Sequence, residues 1–418
     1  MTVTPAARPT AGQLARLLVA LVTMSCLSQF YRVSNGVIAP ELMRDLDMSP
    51  QQLGFAGGAF FIMLLVAQIP VGIWFDRYGA RVTQALLAIF IVIGAVLVSR
   101  AQSASDLIVA RTIMGLGCAA SFMALVFVLS KWVEPARYTT VLSWGFAMSN
   151  LGTIAATAPL AWAASTIGWR TSFLWLAGIS ALAAVTFWTV VRDRPPGTPE
   201  PVHQIEPMRA VLDGLLKVWR TDGLVPVLAM HTFASGTQLT LLAIWAGPYL
   251  NDVYRLDGIA RGKALLIMGL AQVAGIFCYG PLDRLIGSRK RVIAAGATLT
   301  IALLVMLAMW PMPPLWITVA ILTLCIFVGS YSVVIIGQGR VLFPLNLAGR
   351  GATTVNIAQL AGLMGLPMLT GVIVGRFPQV AGLVPEIAFR AAFAALAVGN
   401  ICGLLIYLRA SDGKAAGN

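Results

Sequence analysis

The chain reads as an all-α integral membrane protein: twelve transmembrane helices in two pseudo-symmetric six-helix bundles. Two observations predict this. Hydrophobic residues make up 58% of the 418 residues and charged residues 11%, with a mean hydropathy of +0.84, whereas soluble domains carry about 25% charged residues. One polar segment also occurs twice, nearly half a chain length apart: Gly72, Asp76, Arg77, Gly79 and Arg81, then Gly280, Asp283, Arg284, Gly287, Arg289 and Arg291. Each copy lies between two apolar runs, which implies equivalent halves with room for a cavity where they meet.

The apolar runs fall near 16–40, 52–75, 82–100, 106–130, 138–164, 171–191, 224–250, 260–282, 292–310, 314–338, 351–375 and 388–408. Each can cross a hydrocarbon core of roughly 30 Å as a helix. Lipid leaves no partner for open backbone groups, and the alternation of a barrel strand is missing, so helices are expected throughout. The first run is long and others follow it, so it reads as a retained helix rather than a signal peptide. The longest polar stretch, 192–223, holds Pro195, Pro196, Pro199, Pro201 and Pro207, then an amphipathic piece from Met208 to Trp219. It reads as a cytoplasmic linker joining bundles 1–191 and 224–418.

Most of the 29 Lys and Arg lie in segments that share a side with the termini, the linker and both polar turns, including Arg77, Arg81, Lys131, Arg192, Arg194, Arg284, Arg289, Lys290 and Arg291. That excess places those segments and both termini in the cytoplasm, with the chain multi-pass in the cytoplasmic (inner) membrane. The same topology accounts for the net charge of +13, so no nucleic-acid partner is inferred. The five cysteines lie within apolar runs and read as small core residues, with no disulfide frame or metal site. No catalytic group set or nucleotide-binding glycine loop is present, so an enzyme is not expected and no cofactor is called for.

The repeated segment closely resembles the loop between helices two and three of the major facilitator superfamily, and its second copy the loop between helices eight and nine. Arg111, Gly115 and Gly117 resemble that superfamily's helix-four motif. Gly168, Trp169, Arg170 and Phe173 resemble the entry to helix six, and Gly349, Arg350, Gly351 and Asn356 the entry to helix eleven. The likeness covers the whole chain. It implies that Asp76 meets the positive end of a helix in the other half near Gly351, a contact that stabilises by about 0.3–1 kcal/mol. Gly72, Asp76, Arg77, Gly79, Arg81, Asp283 and Arg284 would then form a conformational latch; the alternative is that these basic loops only hold topology. The resemblance gives Arg111 a part in coupling or in the resting architecture. The fifth run departs from the helix-five signature of many proton-driven exporters, with Ala158 and Ile154 where glycines stand before Pro159.

Among the polar residues inside the runs, Arg32 is the most informative. Gln29, Arg32 and Asn35 share a helix face, and a charge at that depth costs at least a few kcal/mol unless it meets a partner or water. Arg32 either lines a central cavity or snorkels to the outer surface; the continuation of the stripe to Gln29 favours the cavity. The context of Tyr31 and Arg32 with Pro40 resembles helix one of the organophosphate:phosphate antiporters, where this arginine helps bind phosphate together with a second arginine in helix seven. Here the seventh run offers His231, Ser235 and Gln238 on one face and no arginine, which points to a less charged anion such as a carboxylate. His231 reads either as a proton carrier or as a neutral histidine bonded to a neighbouring helix. Asn356 and Gln359, with Thr353, form a third stripe. All 16 Asp and Glu lie in loops or at span ends. The resulting expectation is an alternating-access carrier of a small organic anion or zwitterion, monomeric in the lipid bilayer. The alternatives are a proton-coupled exporter of drugs or metabolites and a transporter-like membrane sensor.

Overall fold

The computed structural model describes residues 10–195, 218–343 and 348–409. Among them, eleven helices are long and apolar enough to cross a membrane: Gly12–Val37, Pro50–Phe75, Arg77–Arg100, Ala104–Trp132, Trp169–Val190, Leu224–Asp252, Gly258–Gly280, Arg289–Met309, Leu315–Gly339, Thr353–Val374 and Glu386–Leu408. The fifth predicted crossing, 138–164, is broken into Pro135–Ser149, Leu151–Ala155 and Ala158–Ile167, so no one helix there is long enough. The break has local causes. Pro159 supplies no amide near the start of the last piece. At Gly152 the first span presses in so closely that a methyl group would lie 1.9 Å from the Cys26 carbonyl oxygen.

Starts and turns follow from the residues at them. Thr10, Ser49 and Ser103 close capping boxes with Gln13, Gln52 and Asp106, satisfying amides that have no intrahelical partner. The polar turn after the second span is tighter than the sequence suggests: helix geometry resumes at once on either side of Gly79, which alone adopts a non-helical φ of 80° and ψ of 169°. Gly287 in the second copy also has a positive φ, 69°, a conformation open chiefly to glycine.

The two halves pack by the same plan. The third span lies against the sixth, and the ninth against the twelfth; the second packs on the fourth, and the eighth on the tenth. Across the halves, the second span meets the eleventh, the fifth meets the eighth, and the first meets the seventh. The closest approaches across the halves lie at the end of the bundle that carries Glu41. There, methyl groups at Gly36, Gly54, Gly58 and Gly262 would lie 2.0 Å from Ala243, 2.4 Å from Pro367, 2.7 Å from Met368 and 2.5 Å from Ala161. At the opposite end, which carries Gly79, Gly72 and Gly280 have nothing within 4 Å of a methyl position.

The outer surface is apolar, with Trp175, Leu182 and Trp316 exposed, as lipid contact requires. That surface corrects one expectation: Cys278 and Cys402 are exposed, while Cys118 and Cys325 are buried. An apolar run in lipid is apolar on both faces, so hydrophobicity does not report which face is core. The linker expectation for 192–223, with its amphipathic piece, falls mostly on 196–217, outside the described residues.

Candidate functional site

Arg32 lies one helical turn from Gly36, on the side away from Glu41. At Gly36 the first and seventh spans touch backbone to backbone: a methyl at Gly247 would lie 2.2 Å from the Gly36 carbonyl oxygen. The seventh span passes this contact as a π-helix, Leu241–Trp245, a local widening often found at functional sites. Beyond it, Ile38, Ala39 and Leu42 are buried. Arg32 therefore sits beneath the closed end, at the seam between the halves. Its side chain is half-buried, and its Nε is enclosed without a hydrogen-bond partner. Asn35, one turn on, is buried with an unpartnered Nδ2. Gln29, one turn deeper, is half-buried.

A second arginine stands behind the first. Arg111 is only 2% exposed. Its Nη1 donates to the Tyr31 carbonyl oxygen at 2.6 Å, and its guanidinium lies 4.7 Å from the centre of the Phe60 ring. The Tyr31 hydroxyl pairs with Ser180 Oγ at 2.9 Å. Thus the fourth span holds the Tyr31 backbone and the sixth its hydroxyl, and together they fix the start of the Arg32 side chain. Among the described residues no carboxylate pairs with Arg32 or Arg111, and Nε and Nη2 of Arg111 remain unpartnered. The result is a cationic, donor-rich cluster that no carboxylate among the described residues neutralises.

The seventh-span stripe faces another way. Gln238 Nε2 donates to the Ile326 carbonyl oxygen at 2.8 Å and to Ser330 Oγ at 3.1 Å, bracing the seventh span on the tenth. His231 is 0% exposed and neither ring nitrogen has a partner; Ser235 Oγ is likewise unpartnered. Asn356 and Gln359 are half-buried on the eleventh span.

At the Gly79 end, the side chains of Asp76, Asp283 and Arg284 lie outside those described, as does the expected contact of Asp76 near Gly351. Arg77 is exposed, 5.3 Å from the Tyr78 ring. The described part of the turn is held by a residue that the motif does not contain. Asp193 Oδ1 accepts from the Arg81 amide at 2.9 Å. Arg81 Nε donates to the Trp188 carbonyl oxygen at 2.8 Å, and its guanidinium stacks 4.3 Å from that indole. The first half thus grips its own turn from the end of the sixth span. Sequence reasoning passed over Asp193 because a lone acid among linker arginines resembles any loop charge.

At the other end Asp45 accepts from Trp169 Nε1 at 2.9 Å and from Arg44 Nε at 3.0 Å. Arg170 lies 3.6 Å from the same carboxylate. Partial burial works against the charge of Asp45, but these donors outweigh it and hold the carboxyl below its ordinary value.

A family model described as the Major Facilitator Superfamily matches residues 21–367. A hexuronate transporter of Escherichia coli (strain K12) is 25% identical over 428 residues, covering 96% of this chain and 94% of the relative. A putative tartrate transporter of Agrobacterium vitis is 23% identical, covering 84% of this chain and 83% of its own. Among solved structures, a bacterial homolog of the human lysosomal transporter Spinster, inward-facing and unoccupied, superposes with a TM-score of 0.77 at 16% identity, covering 96% of each chain. A D-xylose-proton symporter gives a TM-score of 0.75 at 12% identity, over 97% of this chain and all of the other.

Proposed function

The chain belongs to the Major Facilitator Superfamily, and from that premise we propose that it is an alternating-access carrier of a small organic anion, with Arg32 as the group that holds the anionic end. The observation that carries this reading is a guanidinium at the seam of the halves with no carboxylate among the described residues to neutralise it, backed by a second arginine that likewise lacks a carboxylate partner there. An isolated charge in a low-dielectric interior is tolerated when something supplies the opposite charge; here the substrate does so. The curated relatives named for hexuronate and tartrate carry organic acids of that kind.

In this reading Arg32 takes a carboxylate through two parallel N–H···O bonds. Arg111 and Tyr31 position it, Gln238 braces the seventh span, and Gln29, Asn35, Asn356 and Gln359 offer neutral hydrogen-bonding groups to the rest of the substrate. His231, on the seventh span, is a buried imidazole with two unpartnered nitrogens that a proton can engage. The basic Gly79 end and both termini face the cytoplasm. With the halves closed at the Glu41 end, the site then faces inward, and rocking of the halves exposes it to the other side.

The test is uptake of hexuronate and tartrate into proteoliposomes. Arg32→Gln removes charge-assisted bonds of about 1.5–3 kcal/mol, lowering uptake efficiency roughly ten- to hundredfold. Arg32→Lys keeps the charge but loses the fork, and it also falls. Full activity of both variants, or carriage of cations alone, overturns the reading.

A further inference from the structure

At the Glu41 end, a single ion pair spans the two halves among the charge pairs described. Arg261, at the start of the eighth span, donates from Nη2 to Oε1 of Glu41, which sits on the short helix Ala39–Asp45 that follows the first span. The Arg261 side chain is 2% exposed and that of Glu41 22%. Arg261 is held on its own half by Nη1, which donates to Asn251 Oδ1 at 3.1 Å. Asn251 in turn donates to Asp252 Oδ1 at 2.8 Å, and Asp252 Oδ2 accepts from the Val384 amide at 3.1 Å. The arginine is thus anchored in the second half and reaches across to the first. Around it the halves approach closely: a methyl at Gly258 would lie 3.7 Å from Glu41 Oε1, and one at Gly262 would collide with the Ala161 side chain.

We propose that Glu41 and Arg261 form a buried ionic latch that closes the Glu41 end of the carrier and sets how readily it opens. The proposal rests on the alternating-access reading. A pair taken out of water yields little net stability unless every remaining donor and acceptor is satisfied. Here Glu41 Oε2 and Arg261 Nε are enclosed without partners. Such a pair adds little to holding the bundle together, but it suits a contact that must form and dissolve. When the halves part, water reaches both charges and the interaction is exchanged for hydration. When they close, an aligned pair is tolerated, whereas a lone guanidinium in the same place is not. The latch therefore specifies one closed register and opposes any closure that leaves Arg261 unpaired.

The test uses purified full-length protein in detergent, with Ala39→Cys as a reporter. Ala39 is fully buried in the closed arrangement, and its helix packs against the segment Ala246–Asp252 of the other half. Maleimide alkylation at position 39 is followed by mass spectrometry, which separates it from the native thiols. Glu41→Gln strands the buried guanidinium and raises the alkylation rate roughly tenfold. Arg261→Gln raises it less, because the Glu41 side chain is 22% exposed against 2% for that of Arg261. The apolar pair Glu41→Leu with Arg261→Met removes both charges and returns the rate to within about twofold of the parent. The latch is overturned when Glu41→Gln leaves the rate unchanged, or when the apolar pair labels as fast as Glu41→Gln alone. Neither result touches the Arg32 assignment, which anion uptake decides separately.

Discussion

A side chain in this protein takes its meaning from whether its partners are complete. Arg32, Asn35 and Arg111 carry unpartnered polar atoms, and this shortfall, not charge alone, supports the proposal that a substrate is held around Arg32. Asp45 is the opposite case: Trp169, Arg44 and Arg170 all serve one carboxylate outside the spans. Its carboxyl is held below the ordinary value, so the native state favours the charged form. The stabilisation is fully present above the unfolded-state value of about 4 and is lost as pH falls through the lower folded value. Thermal unfolding followed between pH 7 and pH 3 should show this. Asp45→Asn flattens the acid-side loss and, at pH 7, costs up to about 1 kcal/mol, since the group is partly exposed. An unchanged acid profile in the variant would remove Asp45 from the account. The sequence gives no sign of this clamp, because Asp45 and Trp169 meet only through the fold.

At the scale of elements, the twelve apolar runs, the repeated turn and the Gly-Trp-Arg entry to the sixth span could be read from residue types, since each depends on local chemistry. The break of the fifth span is not anticipated: 138–164 reads as one crossing, and the break depends in part on the first span pressing against Gly152. Side-chain direction was less legible. His231, Ser235 and Gln238 share a face as their spacing requires, yet Gln238 is spent on the tenth span; periodicity gives a face but not the neighbour it meets. The Gly79 turn is the sharpest element to test. Its φ of 80° and ψ of 169° lie in a region occupied essentially by glycine, at a cost of order 1–3 kcal/mol for other residues. A methyl there would also lie 2.1 Å from Asp193 Oδ2. Gly79→Ala should therefore lower the melting temperature in detergent. Adding Asp193→Ala relieves the collision but leaves the backbone strain and unsatisfies the Arg81 amide, so the double variant does not recover the parent value. Full recovery would show that the strain is absent.

For the whole molecule, alternating access demands that one end close without side chains wedging it open. Small residues meet that demand at the Glu41 end. Gly54 faces the Pro367 carbonyl oxygen, Gly371 approaches the Gly54 Cα to 3.1 Å, and Gly375 meets Gln51 at 3.2 Å, each distance measured from a methyl position. Sequence alone shows glycines in two apolar spans; that the second and eleventh spans present them to each other follows only from the assembled halves. Close approach of backbones gives packing without any hydrophobic drive, which lipid does not supply. A large side chain there should act on the conformational equilibrium rather than on folding, because the second and eleventh spans can part there while each half keeps its own core. Gly54→Leu places a branched side chain where a single methyl already falls 2.4 Å from Pro367. The variant should insert normally, label rapidly at an Ala39→Cys reporter and still bind anions in a thermal-shift assay, while net transport drops to background. Transport at the parent rate would mean that this seam yields without opening, and that closure at the Glu41 end is set elsewhere.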